Sequence, residues 1–326
     1  MPDHAMTIED FLPKPKKIAF LFPGQGAQAV GMASDLYREF DVAREVFDMA
    51  EEITRINLSR LCFNGPADEL TRTVNLQPAL TAVNLACLAV IGTEDITPCI
   101  SAGHSLGEYA ALAASGAVSA PDTLRLVSRR GRLMDREAGR NPGLMHAIIG
   151  LGIDDVRELI ENAGLDAAVA IANHNAEKQI VISGIPGPVE TVSAAAAKQG
   201  ARALALRVSG AWHSELMRGA VTEFSAALDE AAFHKPGHPV LMNVTASPLE
   251  APDEIKSVMK SQLCSPVRWY DSMCRLRDEG ITHFAEVGAG RVLAGLLKRT
   301  LPEDYPGTVH SVNSMKSLEA FFRDVA

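Results

Sequence analysis

The residues with the clearest chemical potential are 103–107, which read Gly-His-Ser-Leu-Gly and place Ser105 between two glycines. A short apolar run, 98–102, precedes them, and a helical pattern, 108–114, follows. A strand, a tight turn and a helix in this order present a serine at the top of an α/β sheet. The helix directs its free N–H groups and positive dipole end to where an oxyanion forms during acyl transfer. The pattern therefore predicts that Ser105 is a nucleophile in acyl chemistry.

A serine hydroxyl needs a base within hydrogen-bond reach, so the nine histidines are the next candidates. His213 follows an apolar segment and lies in a turn of small residues, 209–214, before a helical pattern. Catalytic residues concentrate at such strand ends. His104 is adjacent to Ser105, but its side chain is expected to point the other way. His213 is thus the candidate base, although a histidine buried for structural reasons would fit the same pattern.

Composition bounds the class of protein. The chain has 326 residues, of which 47% are hydrophobic and 22% charged, as in an ordinary globular enzyme of one large domain or two. A net charge of −9 argues against a broad nucleic-acid surface. No apolar run approaches the length that crosses a bilayer, so no membrane contact is expected. The five cysteines are scattered and lack metal-ligand spacing, which favours buried free thiols, a reducing cytoplasmic location and no metal.

The elements that must position these residues alternate between strands and helices, which predicts a parallel sheet with helices on both faces. We predict a leader at 1–16, a large discontinuous domain at 17–140 and 208–326, and a small subdomain inserted at 141–207. The insert reads as six elements in the order β-α-β-β-α-β of a ferredoxin-like unit, at 144–151, 154–163, 167–173, 179–183, 188–199 and 202–208. This subdomain separates Ser105 from His213 along the chain.

Seven short motifs occur in a fixed order along the chain and resemble those of the malonyl-CoA:acyl carrier protein transacylases. They are Phe22–Gln28, Gln77–Leu80, Gly103–Tyr109, Arg130–Gly131, Gly210–Met217, Gln262–Val267 and Glu286–Gly290. The resemblance runs from residue 17 to about residue 299. It implies an α/β-hydrolase-like large domain with the inserted ferredoxin-like subdomain, and a stand-alone enzyme that loads malonyl groups.

The resemblance also implies roles for individual residues. Ser105 becomes the nucleophile and His213 the base, and no carboxylate completes a triad. The backbone carbonyl of Gln262 orients the histidine, which fixes its tautomer but stabilises an imidazolium less than a buried carboxylate would. The backbone N–H groups of Gln25 and Leu106 form the oxyanion hole. The glycines on either side of Gln25 permit the close backbone approach that this role requires.

Arg130 is the predicted binding group for the substrate carboxylate. Malonyl-CoA carries a free carboxylate that acetyl-CoA lacks, and a guanidinium can bind it through two parallel hydrogen bonds. Malonyl-CoA is then a substrate, and no cofactor is expected. The neighbouring Arg129 and Arg132 would point to other faces of the same helix. The resemblance also brings Asn173 and Asn175 to the cleft, although two asparagines beside a turn are typical of loops.

The expected partners are malonyl-CoA and an acyl carrier protein, with the chain acting as a monomer. Because carrier proteins are acidic and this chain is too, docking would need a local basic patch, for which Arg129, Arg132, Lys298 and Arg299 are candidates. Two alternatives stay open: a discrete acyltransferase of a polyketide assembly line, and a serine hydrolase such as a thioesterase or lipase. In the hydrolases the histidine usually comes late in the domain, after an acid, whereas a long segment follows His213 here.

Overall fold

The first part of the chain supplies two neighbouring strands of a parallel sheet and most of the helices around it. The computed structural model describes residues 16–325, so the predicted leader lies outside the described residues except for Lys16. All five residues of the first strand are buried, as expected of a strand covered on both faces. The elements are β1 (Ile18–Phe22), α1 (Ser34–Glu39), α2 (Asp41–Thr54), α3 (Leu58–Asn64), α4 (Ala67–Thr71), α5 (Thr73–Gly92), β2 (Ile100–Gly103), α6 (Gly107–Ala114) and α7 (Ala120–Arg140).

The middle of the chain forms a second, antiparallel sheet with two helices. Its elements are β3 (Leu144–Ile149), α8 (Ile153–Asn162), β4 (Val169–Ala176), β5 (Gln179–Gly184), α9 (Pro186–Lys198) and β6 (Arg202–Ala205). The strand order is β4-β5-β3-β6, which is the ferredoxin-like arrangement. Its apolar core, which includes Ile148, Ile180 and Val192, is separate from the core of the large sheet. All six elements fall between residues 141 and 207, and the domain boundaries themselves stay a prediction.

The last part of the chain returns to the large sheet. Its elements are α10 (Arg218–Glu230), β7 (Val240–Leu241), β8 (Pro248–Leu249), α11 (Pro252–Ser261), α12 (Trp269–Asp278), β9 (His283–Val287), α13 (Val292–Leu297), β10 (Thr308–Val312) and α14 (Met315–Val325). The strand predicted over 239–244 is short, because only Val240 and Leu241 pair with the sheet. Strand β10 and helix α14 had no counterpart among the predicted elements.

The order of the large sheet is β10-β9-β1-β2-β7-β8, and every pair except β7–β8 is parallel. Phe22 at the end of β1 pairs with Gly103 at the end of β2, and Ala102 pairs with Leu241 at the end of β7. Because parallel strands end at the same edge, the turns that follow these three strands lie side by side. The candidate residues Gln25 and Ser105 lie in two of these turns.

Helix α5 corrects the expectation that no apolar run reaches membrane-spanning length. It has 20 residues and a mean hydropathy of 1.6, so by length and composition it could cross a bilayer. However, 78% of that segment is buried inside the protein, where α5 packs against α2 and α7. An apolar helix that is surrounded on most sides is typical of the core of a large domain.

The cysteines also differ in part from expectation. All five are free thiols, but only Cys62 and Cys87 are buried, whereas Cys99 is exposed and Cys264 and Cys274 are half-buried. Burial raises the pKa of Cys62 and of Cys87 to about 12, so these two are unreactive packing residues. Within residues 16–325, no cluster of histidine, cysteine and acidic side chains could hold a metal ion.

Candidate active site

Ser105 lies in a sharp turn between β2 and α6. Its backbone has φ +50°, in the left-handed region that is strained for a serine and typical of functional turns. A Cβ atom on Gly107 would overlap the Phe22 carbonyl oxygen, so only glycine allows α6 to begin this close to β1. Asn243 holds the turn from the next strand: its Oδ1 accepts the Ser105 N–H at 2.7 Å, and its Nδ2 donates to the Gly103 carbonyl at 2.6 Å.

The structure brings His213 directly to Ser105. Ser105 Oγ and His213 Nε2 are 2.7 Å apart, although 108 residues separate them in sequence. The other ring nitrogen, Nδ1, lies 3.1 Å from the Gln262 carbonyl oxygen and 3.0 Å from that of Ser265. Since carbonyl oxygens only accept, Nδ1 carries the proton and Nε2 is free to accept the serine proton. Ser265, a second orienting carbonyl, was not predicted.

The surroundings keep His213 neutral. The residue is 3% exposed, and burial lowers its pKa to about 3, with the nearby Arg130 charge acting in the same direction. No carboxylate approaches the ring nitrogens among the described residues. A neutral imidazole beside a serine hydroxyl is the state that a general base requires.

The two predicted oxyanion donors lie at the mouth of the same turn. Leu106 precedes α6, and Gln25 lies in the turn after β1, where Gly24 is so close to the His104 carbonyl that any Cβ would overlap it. The backbone N–H groups of Gln25 and Leu106 donate to no acceptor within residues 16–325. Both donors are therefore free to bind an oxyanion on Ser105.

Arg130 reaches Ser105 from helix α7. It is 1% exposed, and its Nη2 donates to Ser105 Oγ at 3.1 Å. Its Nε donates to Gln262 Oε1 at 3.3 Å, and its guanidinium lies 5.5 Å from the centre of the Tyr109 ring. It forms no ion pair within the described residues. A buried guanidinium without a carboxylate partner has the chemistry to bind a carboxylate that arrives with a ligand.

The neighbouring arginines point elsewhere, as expected. Arg129 lies 3.6 Å from Glu223, and Arg132 donates to Ser128 Oγ at 3.0 Å on the same helix. Neither contacts Ser105. Arg130 is therefore the arginine that the helix directs to Ser105.

A cavity of about 750 Å³, here called the entrance cavity, adjoins the Ser105 turn and lies between the two sheets. Gln25 and His104 line its inner end, with Asn173 and Asn175 from strand β4. His104 Nε2 is 2.8 Å from Asn175 Oδ1, which directs that histidine away from Ser105. The other lining residues are Gly24, Gly26, Gln28, Asp68, Thr71, Arg72, Ala147, Gln179, Val181, Leu206, Arg207, Val208, Ser209, Val292, Leu293 and Leu296. Both asparagines thus line a cleft from strand β4 and do not lie in a solvent-exposed loop.

Two buried polar residues at the site were not predicted. Asn243 binds the Ser105 turn as described, and Glu108 on α6 is fully buried behind it. The signal for Asn243 was its position just after an apolar strand, and that for Glu108 was a carboxylate inside an otherwise apolar helix. Residues 286–290 have a structural role, since the Glu286 carboxylate accepts the N–H groups of Leu293 and Ala294 at 3.0 and 2.8 Å.

Comparison with known proteins identifies the class. Residues 19–324 match the acyl transferase domain family. The malonyl CoA-acyl carrier protein transacylase of Bacillus subtilis strain 168 is 42% identical over 285 residues, which are 87% of this chain and 90% of the relative. The crystal structure of the acyl-carrier-protein-S-malonyltransferase of Bartonella henselae has 38% identity and a TM-score of 0.90, covering 95% of this chain and 99% of that one. The chain is therefore a member of the acyl transferase domain family.

A further solved structure narrows the class. A malonyl-transacylase in complex with its type II polyketide acyl carrier protein has 34% identity and a TM-score of 0.90, covering 95% of this chain and 100% of that one. Within the acyl transferases, the chain belongs to the malonyl-CoA:acyl carrier protein transacylases. The predicted family, fold class and type of enzyme are confirmed, whereas the roles of the individual site residues stay predictions.

Proposed function

We propose that this protein transfers a malonyl group from malonyl-CoA to the phosphopantetheine thiol of an acyl carrier protein through an ester on Ser105. One observation carries the assignment of the site: a base and a carboxylate receptor both approach the same atom. His213 Nε2 lies 2.7 Å from Ser105 Oγ, and Arg130 Nη2 lies 3.1 Å from it. A hydrolase needs the first contact, but only an enzyme for a negatively charged acyl group needs the second.

The acylation step uses the groups already in contact. Ser105 Oγ forms a bond to the thioester carbonyl carbon while its proton moves to His213 Nε2. The carbonyl oxygen becomes an oxyanion held by the N–H groups of Gln25 and Leu106. Collapse of this intermediate breaks the carbon–sulfur bond, and the coenzyme A sulfur takes the proton from His213. The carrier thiol then gives its proton to His213 and attacks the ester by the reverse sequence.

The entrance cavity is the proposed site of the pantetheine arm, which malonyl-CoA and the loaded carrier have in common. Arg72 and Arg207 line it, and neither guanidinium has a hydrogen-bond or ion-pair partner within residues 16–325. The bond between Thr73 Oγ1 and Ser209 Oγ, at 3.0 Å, holds their two segments together. Because both substrates carry a phosphate at the end of the same arm, we infer that Arg72 and Arg207 bind that phosphate in each half-reaction.

The carrier protein would dock at the C-terminal end of α13. Leu296 on this helix lines the entrance cavity, and exposed Lys298 and Arg299 follow directly. Arg299 donates to Gln179 Oε1 at 2.6 Å, whereas Arg129 is paired with Glu223. Of the four candidate residues, Lys298 and Arg299 are therefore the better placed for an acidic partner.

Fatty-acid synthesis is the proposed pathway, in the cytoplasm, with the chain acting as a monomer and without a cofactor. A polyketide assembly line is the second candidate, because the malonyl-transacylase solved with a type II polyketide carrier is similar over its full length. Transfer rates to holo-carriers of the two pathways, measured in one assay, would separate these candidates.

Mass spectrometry of the intact protein tests the central proposal. Incubation with malonyl-CoA is expected to add one malonyl group, located on Ser105 by peptide mapping, and acetyl-CoA is expected to label far more slowly. Addition of a holo-carrier should remove the label and appear as malonyl-carrier. Labelling that persists in Ser105→Ala, or an ester that water removes as fast as the carrier does, would contradict the proposal.

A further inference from the structure

Glu108 is a fully buried carboxylate behind the nucleophile, and no step of the proposed reaction uses it. One of its oxygens accepts the backbone N–H of Asn243 at 2.6 Å, and the other accepts Gln262 Nε2. A buried carboxylate is costly unless donors satisfy both of its oxygens, and here both are satisfied. Glu108 thereby holds two residues, Asn243 and Gln262, that themselves contact the Ser105 turn.

The side chain of Gln262 separates the carboxylate of Glu108 from the guanidinium of Arg130. Its Nε2 faces acceptors, namely Glu108 and the Ser105 carbonyl at 3.1 Å. Its Oε1 faces donors, namely Arg130 Nε at 3.3 Å and the Tyr109 hydroxyl at 3.1 Å. The four contacts are satisfied in only one orientation of the amide.

The consequence is that Glu108 and Arg130 belong to one buried network without touching. Burial raises the pKa of the Glu108 carboxyl to about 7, while its bonds to Asn243 and Gln262 and the Arg130 charge favour the ionised form. A carboxylate in direct contact with Arg130 would form a buried ion pair, which a substrate carboxylate would have to break. The Gln262 amide, which lies between the two groups, accepts a hydrogen bond from the Arg130 guanidinium. This bond fixes the plane of the guanidinium, and the amide itself carries no charge. Arg130 Nη2 donates to Ser105 Oγ, the guanidinium also contacts Tyr109, and no carboxylate within the described residues pairs with Nη1 or Nη2. Both remain available to an incoming carboxylate.

We propose that Glu108 is a positioning residue that locks Gln262 as a neutral spacer, so that Arg130 is oriented toward Ser105 yet left unneutralised for the malonyl carboxylate. The inference rests on the proposed function and deepens it. Selectivity for a negatively charged acyl group then depends on a carboxylate that never touches the substrate. Gln262 also orients His213 through its backbone carbonyl. By holding Gln262, Glu108 therefore positions both the base His213 and the carboxylate-binding Arg130.

Glu108→Gln is the first test. The new amide must place an NH₂ group against a donor, either the Asn243 N–H or Gln262 Nε2, so the spacer loses its orientation. The matched control is Glu286→Gln, which alters another fully buried carboxylate that accepts two backbone N–H groups but has no contact with Gln262. The readouts are kcat/KM for acylation of Ser105 by malonyl-CoA and by acetyl-CoA.

The expected result is that Glu108→Gln lowers the malonyl-to-acetyl ratio by about tenfold or more, mostly through the KM for malonyl-CoA, while Glu286→Gln changes the ratio by less than about threefold. An unchanged ratio in a folded Glu108→Gln protein would overturn the inference. So would an equal loss in both variants, since that would mark a general effect of removing a buried carboxylate.

Gln262→Glu decides the question if Glu108→Gln does not fold. It keeps the backbone carbonyl that orients His213 and brings a carboxyl oxygen next to Arg130. Its other oxygen faces Glu108 in place of the amide N–H, so the two carboxyl groups must share a proton. The KM for malonyl-CoA should rise at least about tenfold more than the KM for acetyl-CoA, so that the malonyl-to-acetyl ratio of kcat/KM falls. An unaltered KM for malonyl-CoA would refute the spacer role, as would a parallel fall for both acyl groups. Absence of any malonyl label on the wild-type protein would instead refute the proposed function.

Discussion

The active site has two ends that differ in their exposure to water. The acyl end, formed by Ser105, His213, Arg130 and Gln262, is enclosed: Arg130 is 1% exposed, His213 3% and Gln262 0%. The entrance cavity is open, and its rim includes two exposed apolar side chains, Leu206 at 37% and Val292 at 45%. The polar contacts of the acyl end form a single connected network, whereas the two arginines of the entrance cavity have no partners within residues 16–325.

This contrast assigns different tasks to the two ends. A charge at the acyl end has lost its water, so adding or removing one partner there changes binding by several kcal/mol, on the order of 2–5. A charge in the entrance cavity remains solvated and contributes about 1 kcal/mol or less. We therefore expect selection of the acyl group to depend on the acyl end. The weaker contacts of the open end suit an arm that must enter and leave twice in each catalytic cycle.

Arg130→Ala should give the largest effect, because it removes the proposed carboxylate-binding group of the acyl end. We expect kcat/KM for malonyl-CoA to fall about 100-fold or more, with acetyl transfer spared or increased. Arg132→Ala is the matched control, since Arg132 lies on the same helix and its side chain donates to Ser128 rather than to Ser105. Initial rates with both thioesters provide the comparison, and an intact malonyl preference in Arg130→Ala would remove the basis for treating the acyl end as selective.

The pH dependence of acylation should also reflect the enclosure of the acyl end. Burial lowers the pKa of His213 to about 3 from its usual 6.5, so the neutral base persists well below pH 6. We expect kcat/KM for acetyl-CoA, which has no titrating carboxylate, to show no acid limb near pH 6.5. In Arg130→Ala the acid limb of the pH profile should move to higher pH, because the Arg130 charge opposes protonation of the His213 ring in the wild type. Burial raises the pKa of Glu108 to about 7, so a limb near pH 6.5 that disappears in Glu108→Gln belongs to that carboxyl group. A limb near pH 6.5 that persists in Glu108→Gln would mean that the His213 ring is hydrated.

Within the acyl end, residues differ in how far the sequence predicted their roles. Ser105 was predictable because its turn is encoded by adjacent residues, and a strand and a helix flank it in the chain. Glu108 was harder, because its partners Asn243 and Gln262 lie 135 and 154 residues away. Their meeting depends on β7 pairing with β2, which no local pattern specifies. The Gln262 carbonyl is a backbone group that every residue has, so the residue type at this position does not indicate that it orients a histidine.

Strand β10 was not predicted for a different reason. Strand β10 reads Thr-Val-His-Ser-Val, and only Val312 is buried, so its apolar signal is weak. It is nevertheless a regular edge strand, paired with β9 over five residues. The alternation of strands and helices was enough for the α/β class and the ferredoxin-like insert, because those depend on the order of elements rather than on the length of each one.

Neutralising the entrance cavity should have a moderate effect. Arg72→Gln and Arg207→Gln are each expected to raise KM about three- to fivefold, for malonyl-CoA and holo-carrier alike. A malonyl thioester of N-acetylcysteamine, which has no phosphate, should be unaffected. Arg125→Gln is the control, since this exposed arginine pairs with Asp122 away from the cavity. Equal losses with the phosphate-free thioester would assign the two arginines to folding or to the acyl end instead.

The smallest expected effect is at the docking surface, outside both ends. Lys298→Glu should slow malonyl transfer to the carrier about two- to fivefold at low ionic strength, and the deficit should shrink as salt screens the repulsion. Acylation by malonyl-CoA should be unchanged, because Lys298 does not line the entrance cavity. Arg129→Glu serves as the comparison, since Arg129 lies beside Glu223 rather than beside α13. A salt-independent deficit, or an equal one in Arg129→Glu, would count against docking at α13 and leave the carrier reaching the cavity from another side.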